Sequence, residues 1–369
     1  MNQTIAIGFL RMGRWDRLHV DARKGLAGGW EAYAWTWIQL VRAGLVPLDR
    51  GVLAVLQTRL SRDLETAPPS TCGLFCGAGG LAVVARLAAS LDGSLEPLAK
   101  RAFSYWMDSC RRSGYTDMMS GKAGALLAAA EMAAAAPGCV AARQVKDLHR
   151  DCLERLVLLQ KLAFEAPIYL GLAHGLAGYL LALENCAAIF GLRCPESLRS
   201  SCLEILARER VVTAAGVAWH RLSGERLNKK PAEAMNAWCH GAPGIGLALL
   251  CCYGLNGKKD FRSLAQQAFC FRPERQNSDI FCCGVAGSCQ VLVEAYRMSG
   301  EKSWLATATR LRRCNPNMAP AWADRKGGFL RGDLGVRYLD LRLRYPCRLP
   351  LPGLGALSVI PDRVLRPDR

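Results

Sequence analysis

Six of the Gly-x-x-Gly frames in this 369-residue chain constrain its fold more than any other feature. They begin at Gly77, Gly121, Gly175, Gly241, Gly284 and Gly332, spaced 43 to 66 residues apart. That spacing is roughly the length of a helical hairpin with its loops. The apolar runs that follow, such as residues 81–88 and 125–135, are rich in Ala and Leu, the strongest helix formers. Each frame therefore predicts the opening of a helix. Glycine lets the backbone turn tightly and approach a neighbour closely, and a first helical turn leaves its N–H groups free. If the repeats close into a ring, these openings gather at one end of the barrel axis. The residues before each first glycine then converge: Cys76, Ser120, His174, His240, Cys283 and Arg331. For any single frame, tight packing of small residues is a sufficient explanation; six in order argue for an architecture.

Three cysteines sit in or beside these frames. Cys239 lies in Trp238-Cys239-His240-Gly241-Ala242-Pro243-Gly244-Ile245-Gly246, and Cys282 and Cys283 in Phe281-Cys282-Cys283-Gly284-Val285-Ala286-Gly287. Three thiolates brought together supply three of the four tetrahedral ligands zinc prefers, with the fourth position open as in catalytic sites. The competing reading is packing. A free cysteine is commonly a small buried hydrophobe, the chain has 17 of them, and this spacing is not the Cys-x-x-Cys pair of zinc ribbons.

These residues resemble the lanthionine synthetase C-like family, the cyclases of lanthipeptide biosynthesis and their relatives. The resemblance covers roughly residues 70 to 355 and rests on Trp238-Cys239-His240-Gly241-Ala242-Pro243-Gly244-Ile245 and Leu172-Ala173-His174-Gly175-Leu176-Ala177-Gly178. The Cys282-Cys283-Gly284 sequence is similar to the cyclase domain of a subgroup of type 2 lanthipeptide synthetases, where a third cysteine replaces a histidine. Leu349-Pro350-Leu351-Pro352-Gly353-Leu354 is similar to a terminal segment of those enzymes. The resemblance implies an all-α fold, an α/α toroid of two concentric helical rings with zinc at one end. It implies Cys239, Cys282 and Cys283 as zinc ligands, His174 as the acid/base residue, Asp117 beside it, and His240 where relatives carry Tyr or His. Met235 departs from the pattern, since some members have an arginine there that helps the site. Residues 1–60 show no family pattern and form a divergent helical segment, residues 61–355 the toroid, and residues 356–369 a basic tail. The chain is too short to include the dehydratase domain of the type 2 enzymes, which implies a separate or partner dehydratase.

The chemistry so implied is addition of a peptide cysteine to dehydroalanine or dehydrobutyrine in a dehydrated precursor. A free thiol is mostly protonated at neutral pH, and metal coordination deprotonates it. Attack gives an enolate that needs a proton at carbon. His174 suits that step because imidazole exchanges protons near neutrality, and Asp117 would orient it. Asp117 is equally consistent with a helix cap, His174 with a buried core histidine, and His240 with a residue that supports the ligands or only packs. Two further functions stay open: addition of a small thiol such as glutathione to dehydroamino acids, and a non-catalytic peptide-binding scaffold.

Charge and hydropathy narrow the setting. The net charge is +17, from 48 Lys and Arg against 31 Asp and Glu. Much of it is dispersed arginine, for which a solvated face is the commoner explanation, and it also suits an acidic partner such as a precursor leader. Nucleic acid is not expected, because no zinc finger, RNP sequence or groove-reading basic helix is present. The longest apolar stretch, residues 124–140, contains Glu131 and Pro137 and is too short to cross a bilayer. Residues 1–15 lack the apolar core of a signal peptide. The expectation is a cytoplasmic protein without a transmembrane segment. The cysteines are odd in number and scattered, as reduced thiols would be. Trp30, Trp35 and Trp37 mark residues 30–44 as an aromatic-rich amphipathic helix.

Overall fold

The computed structural model describes residues 25–213, 216–225, 229–230, 235–269, 280–315, 328–354 and 357. Residues 1–24 of the amino-terminal segment, and the basic tail apart from Leu357, lie outside the described residues.

Each of these six Gly-x-x-Gly frames opens a helix, with its first glycine at the N-cap. Seven helices form an inner ring among the described residues. They are α1 (Trp30–Arg42), α3 (Ala78–Leu91), α5 (Lys122–Ala135), α7 (Leu176–Phe190), α9 (Ala242–Asn256), α11 (Val285–Ser299) and α13 (Asp333–Arg344). Consecutive members pack side by side. The ring closes where Trp35 of α1 meets Tyr338 of α13 edge-on, ring centroids 5.6 Å apart. Between them run the outer helices α2 (Arg50–Asp63), α4 (Glu96–Arg112), α6 (Ala142–Leu162), α8 (Glu196–Arg208), α10 (Lys259–Ala268) and α12 (Lys302–Cys314). The division follows from patterning. The inner α3 is buried along almost its whole length. The outer α4 buries one stripe, Ala99, Ala102, Tyr105, Trp106, Ser109 and Cys110, as a helix with one solvated face must. The fold is an α/α toroid.

A two-stranded antiparallel hairpin, β1 (Arg210–Thr213) and β2 (Gly216–Trp219), interrupts the helical series after α8. It lies in the longest interval between frames, the 66 residues from Gly175 to Gly241.

The second glycine of a frame is required by close approach. A Cβ on Gly244 would stand 2.0 Å from the Trp238 carbonyl oxygen, and one on Gly287 would stand 1.9 Å from that of Phe281. The loop before each helix can thus fold back against the helix's first turn. These loops are tied edge to edge by backbone hydrogen bonds: Ala27 N–H to Phe75, Cys76 to Met119, Ala173 to Cys239, Cys239 to Cys282, Cys282 to Leu330 and Leu330 to Ala27. Their apolar side chains, Phe75, Met118, Leu172, Trp238 and Phe281, point into the barrel and meet Leu351, Pro352 and Leu354 of the returning carboxyl-terminal segment. The gap left between them is about 10 Å³, about one water-sized probe. Among the described residues the middle of the toroid is therefore packed with apolar side chains.

That returning segment is anchored by buried polar groups. Glu131 accepts from Gly353 N–H at 2.8 Å, Tyr338 donates to the Pro350 carbonyl at 2.6 Å, and Arg342 donates to Leu349 O at 3.0 Å. Arg342 is fully buried and also pairs with Glu294, which Arg297 binds at 2.6 Å. Burial pushes the Glu294 pKa up, but the two guanidiniums outweigh it and hold the carboxyl below its ordinary value. Glu294→Leu leaves Arg342 buried without its carboxylate and is expected to cost about 3–5 kcal/mol, read as a lower denaturant midpoint.

Candidate active site and metal centre

Because each frame's loop lies at the same end of the toroid, residues far apart in sequence meet there. The Cys239 N–H donates to the Cys282 carbonyl at 3.2 Å, which sets the two loops side by side. The Sγ atoms of Cys239, Cys282 and Cys283 all lie within 4.8 Å of one another. Cys239 and Cys282 are buried, whereas Cys283 is exposed. The cluster therefore faces solvent on one side. A tetrahedral zinc with Zn–S bonds of about 2.3 Å holds its sulfurs about 3.8 Å apart, so a small contraction accommodates the ion. The donor set fits zinc.

The electrostatics point the same way. Hydrogen bonds to Cys239 and Cys282, helped by the Arg331 charge, bring the Cys283 pKa down to about 3. Hydrogen bonds to its two neighbours, together with burial, push Cys282 far up. Cys239 is drawn down by its bond to Cys282, but the bond to Cys283 and burial prevail and raise it to about 12. Without a cation the cluster thus carries one negative charge. A bound dication would drive off the remaining two protons, because thiolates are the metal-binding form.

Beside the thiols stand two histidines. His174 Nδ1 lies 3.0 Å from Asp117 Oδ2, and the other Asp117 oxygen accepts from Ser120 N–H at 2.7 Å. Asp117 thus pairs with the histidine and fastens the turn before α5 rather than capping that helix, whose N-cap is Gly121 without a side-chain cap bond. Unlike a core histidine, His174 is exposed. Its ring stacks on His240 with centroids 5.8 Å apart, and Tyr169 flanks both rings at 6.2 and 5.5 Å. Burial, then the charges of His174 and Arg221, lower the His240 pKa to about 4, so this imidazole is neutral near pH 7.

Of the six residues expected to converge, His174, His240, Cys283 and Arg331 meet at this end. Cys76 and Ser120 lie farther round the same ring of loops. Arg331 is exposed and adds its charge beside Cys283 at the rim. Met235 is tied by its N–H to Trp219 O at 3.0 Å, and its carbonyl crowds Gly241, where a Cβ would stand 1.9 Å away. Gly241 has φ +111°, a conformation that other residues rarely adopt. Tyr169 and Arg221 were not legible as site residues. Both lie outside the Gly-x-x-Gly frames, and Arg221 reaches the site from the hairpin side.

The family model for lanthionine synthetase C-like proteins matches residues 52–354. The chain belongs to that family. Among solved structures it is similar to one described as nisin cyclase, with a TM-score of 0.72, 16% sequence identity and 98% of each chain covered. At that identity the likeness bears on the fold, and both chains share the toroid across almost their whole length. A search of curated proteins finds no match. The described cysteines are all free thiols, and no described helix is long and apolar enough to cross a membrane.

Proposed function

We propose that this protein is a zinc-dependent cyclase that joins peptide cysteines to dehydroalanine or dehydrobutyrine, forming lanthionine or methyllanthionine rings in a dehydrated precursor. The observation that carries this reading is the cluster of three cysteine sulfurs within 4.8 Å on the same rim as the His174–Asp117 pair. Cys239, Cys282 and Cys283 would hold the zinc. When bound, the ion would lower the substrate thiol's pKa and keep it as a thiolate at neutral pH. The exposed side at Cys283 leaves room for that fourth sulfur.

The remaining work falls to the protein's own side chains. The new bond joins sulfur to Cβ of the dehydro residue, while the double-bond electrons move toward the carbonyl. His174, exposed at the rim, delivers a proton to Cα, so no atoms are lost or gained overall. Asp117 holds the imidazole through Nδ1, leaving Nε2 for proton exchange. The neutral ring of His240 and the Tyr169 face supply a flat wall against which a planar dehydro residue can lie. The filled barrel keeps the reaction at the surface, where a peptide has access.

The test is to incubate the zinc-loaded protein with a dehydrated peptide that contains cysteine. The expected product has lost one free thiol per ring at unchanged mass. A mass gain equal to an added small thiol would instead assign the site to small-thiol addition. Peptide binding with all thiols retained would leave a scaffold.

A further inference from the structure

The geometry points to Arg221, set against Tyr169 at the histidine side of the site, as the subsite for the anionic oxygen that forms on the substrate. This rests on the cyclase reading and deepens it. Sulfur attack at Cβ pushes the alkene electron pair into the adjacent carbonyl, so negative charge gathers on that oxygen. It stays there until Cα takes a proton and the carbonyl re-forms. A site that accelerates the step places fixed positive charge where the oxygen becomes negative. The three thiols supply no such charge, Arg331 lends its own on the thiol side beside Cys283, and Met235, four residues before Cys239, is uncharged.

Arg221 meets this need by position. Its guanidinium carbon lies 5.8 Å from the Tyr169 ring centroid, and that ring lies 5.5 Å from His240 and 6.2 Å from His174. The side chain is exposed and makes no ion pair among the described residues. Several other arginines are committed to carboxylates, as Arg312 is to Asp340 and Arg199 to Glu184. A guanidinium over an aromatic face keeps its N–H edge available for a further acceptor.

The backbone shows that this placement is built. Leu170 N–H donates to Arg221 O at 3.2 Å, and Ser223 N–H donates to Ile168 O at 2.8 Å. The Ser223 hydroxyl oxygen returns the link by accepting from Ile168 N–H at 3.0 Å, and Tyr169 pairs with Leu222. Residues 221–223 are thus stapled along residues 168–170, the segment that leads into His174. The excursion through β1 and β2 makes this the longest interval between frames, and it returns the chain to the histidine side of the site with a cation, while the frame cation Arg331 stands beside Cys283. An oxygen held between the Arg221 guanidinium and the two imidazoles would leave Cα turned toward the proton donor. The ligand class is the carbonyl oxygen of a dehydroamino acid residue on its way to an enolate.

The test compares zinc-loaded wild type, Arg221→Gln and Arg221→Lys on the dehydrated cysteine peptide. For Arg221→Gln the expected result is kcat lower by about a hundredfold, with KM changed far less and zinc content unaltered. Arg221→Lys, which restores the charge without the planar fork, should recover part of that loss. An active wild type matched by Arg221→Gln would overturn the subsite alone. A loss that Lys does not relieve and that tracks a fall in unfolding temperature would also overturn it, by showing a merely structural role. A wild type that forms no thioether overturns the cyclase reading and the subsite with it.

Discussion

Cys239→Ala is expected to lower thioether formation by well over a hundredfold while leaving the toroid folded. Loss of residues that only orient metal ligands typically costs 10–100-fold, and this substitution removes a ligand itself. The thiol is also the contact that joins two loops electrically: hydrogen bonding among Cys239, Cys282 and Cys283 is what concentrates the cluster's negative charge on Cys283. Without it, two sulfurs remain for the ion and the exposed thiol loses a hydrogen-bond donor. The fold should survive. The ring of loops is held by backbone hydrogen bonds, including Cys239 N–H to Cys282 O and Ala173 N–H to Cys239 O, and these need no side chain. Rates of thiol loss from the dehydrated peptide, beside a circular dichroism melt, would check both parts. An undiminished rate would remove the cluster from the mechanism.

The second large effect is at His174. His174→Gln should reduce turnover by about 10²–10⁴-fold, the range for a lost general acid or base, with zinc content unchanged. The exposed imidazole is held on one nitrogen by Asp117, which leaves the other for the substrate. Asp117→Asn should cost less, because an amide oxygen can still accept from Ser120 N–H and the histidine itself remains to exchange the proton. Separating the two variants by rate, with metal measured in each, distinguishes loss of proton transfer from loss of the metal site. A His174→Gln protein as active as wild type would require another proton donor.

How much of this was readable in the chain depends on how local the cause is. The six helix starts were legible because a Gly-x-x-Gly frame acts within one turn: a side chain at Gly244 or Gly287 would strike the carbonyl six residues back. Convergence of His174, His240, Cys283 and Arg331 was expected once those starts were placed in a ring, as was that of Cys76 and Ser120, which lie farther round it. The grouping of Cys239 and Cys282 with Cys283 was implied by the family resemblance. Asp117 was legible in kind but not in outcome, since only the structure shows one oxygen fastening the turn and the other meeting His174. The seventh inner helix, α1, follows Gly25-Leu26-Ala27-Gly28-Gly29, where the Gly-x-x-Gly spacing is present but the N-cap is Gly29 rather than the frame's first glycine, and its place in the ring depends on Trp35 reaching Tyr338 some 300 residues later. Such a contact leaves no periodic trace. The hairpin and Arg221 were invisible for the same reason, because residues 221–223 gain their meaning by lying along residues 168–170. The filling of the barrel by Leu351, Pro352 and Leu354 likewise follows from the chain's return path rather than from local propensity.

The central claim is that Cys239, Cys282 and Cys283 act together on one metal ion. Its most direct test is to titrate the purified protein with zinc while counting thiols open to alkylation. The account predicts one tightly held zinc per chain and three thiols protected as it binds, with Cys283 the most reactive of the three before zinc is added. Failure to retain zinc, with all three thiols still freely alkylated at saturation, would contradict it.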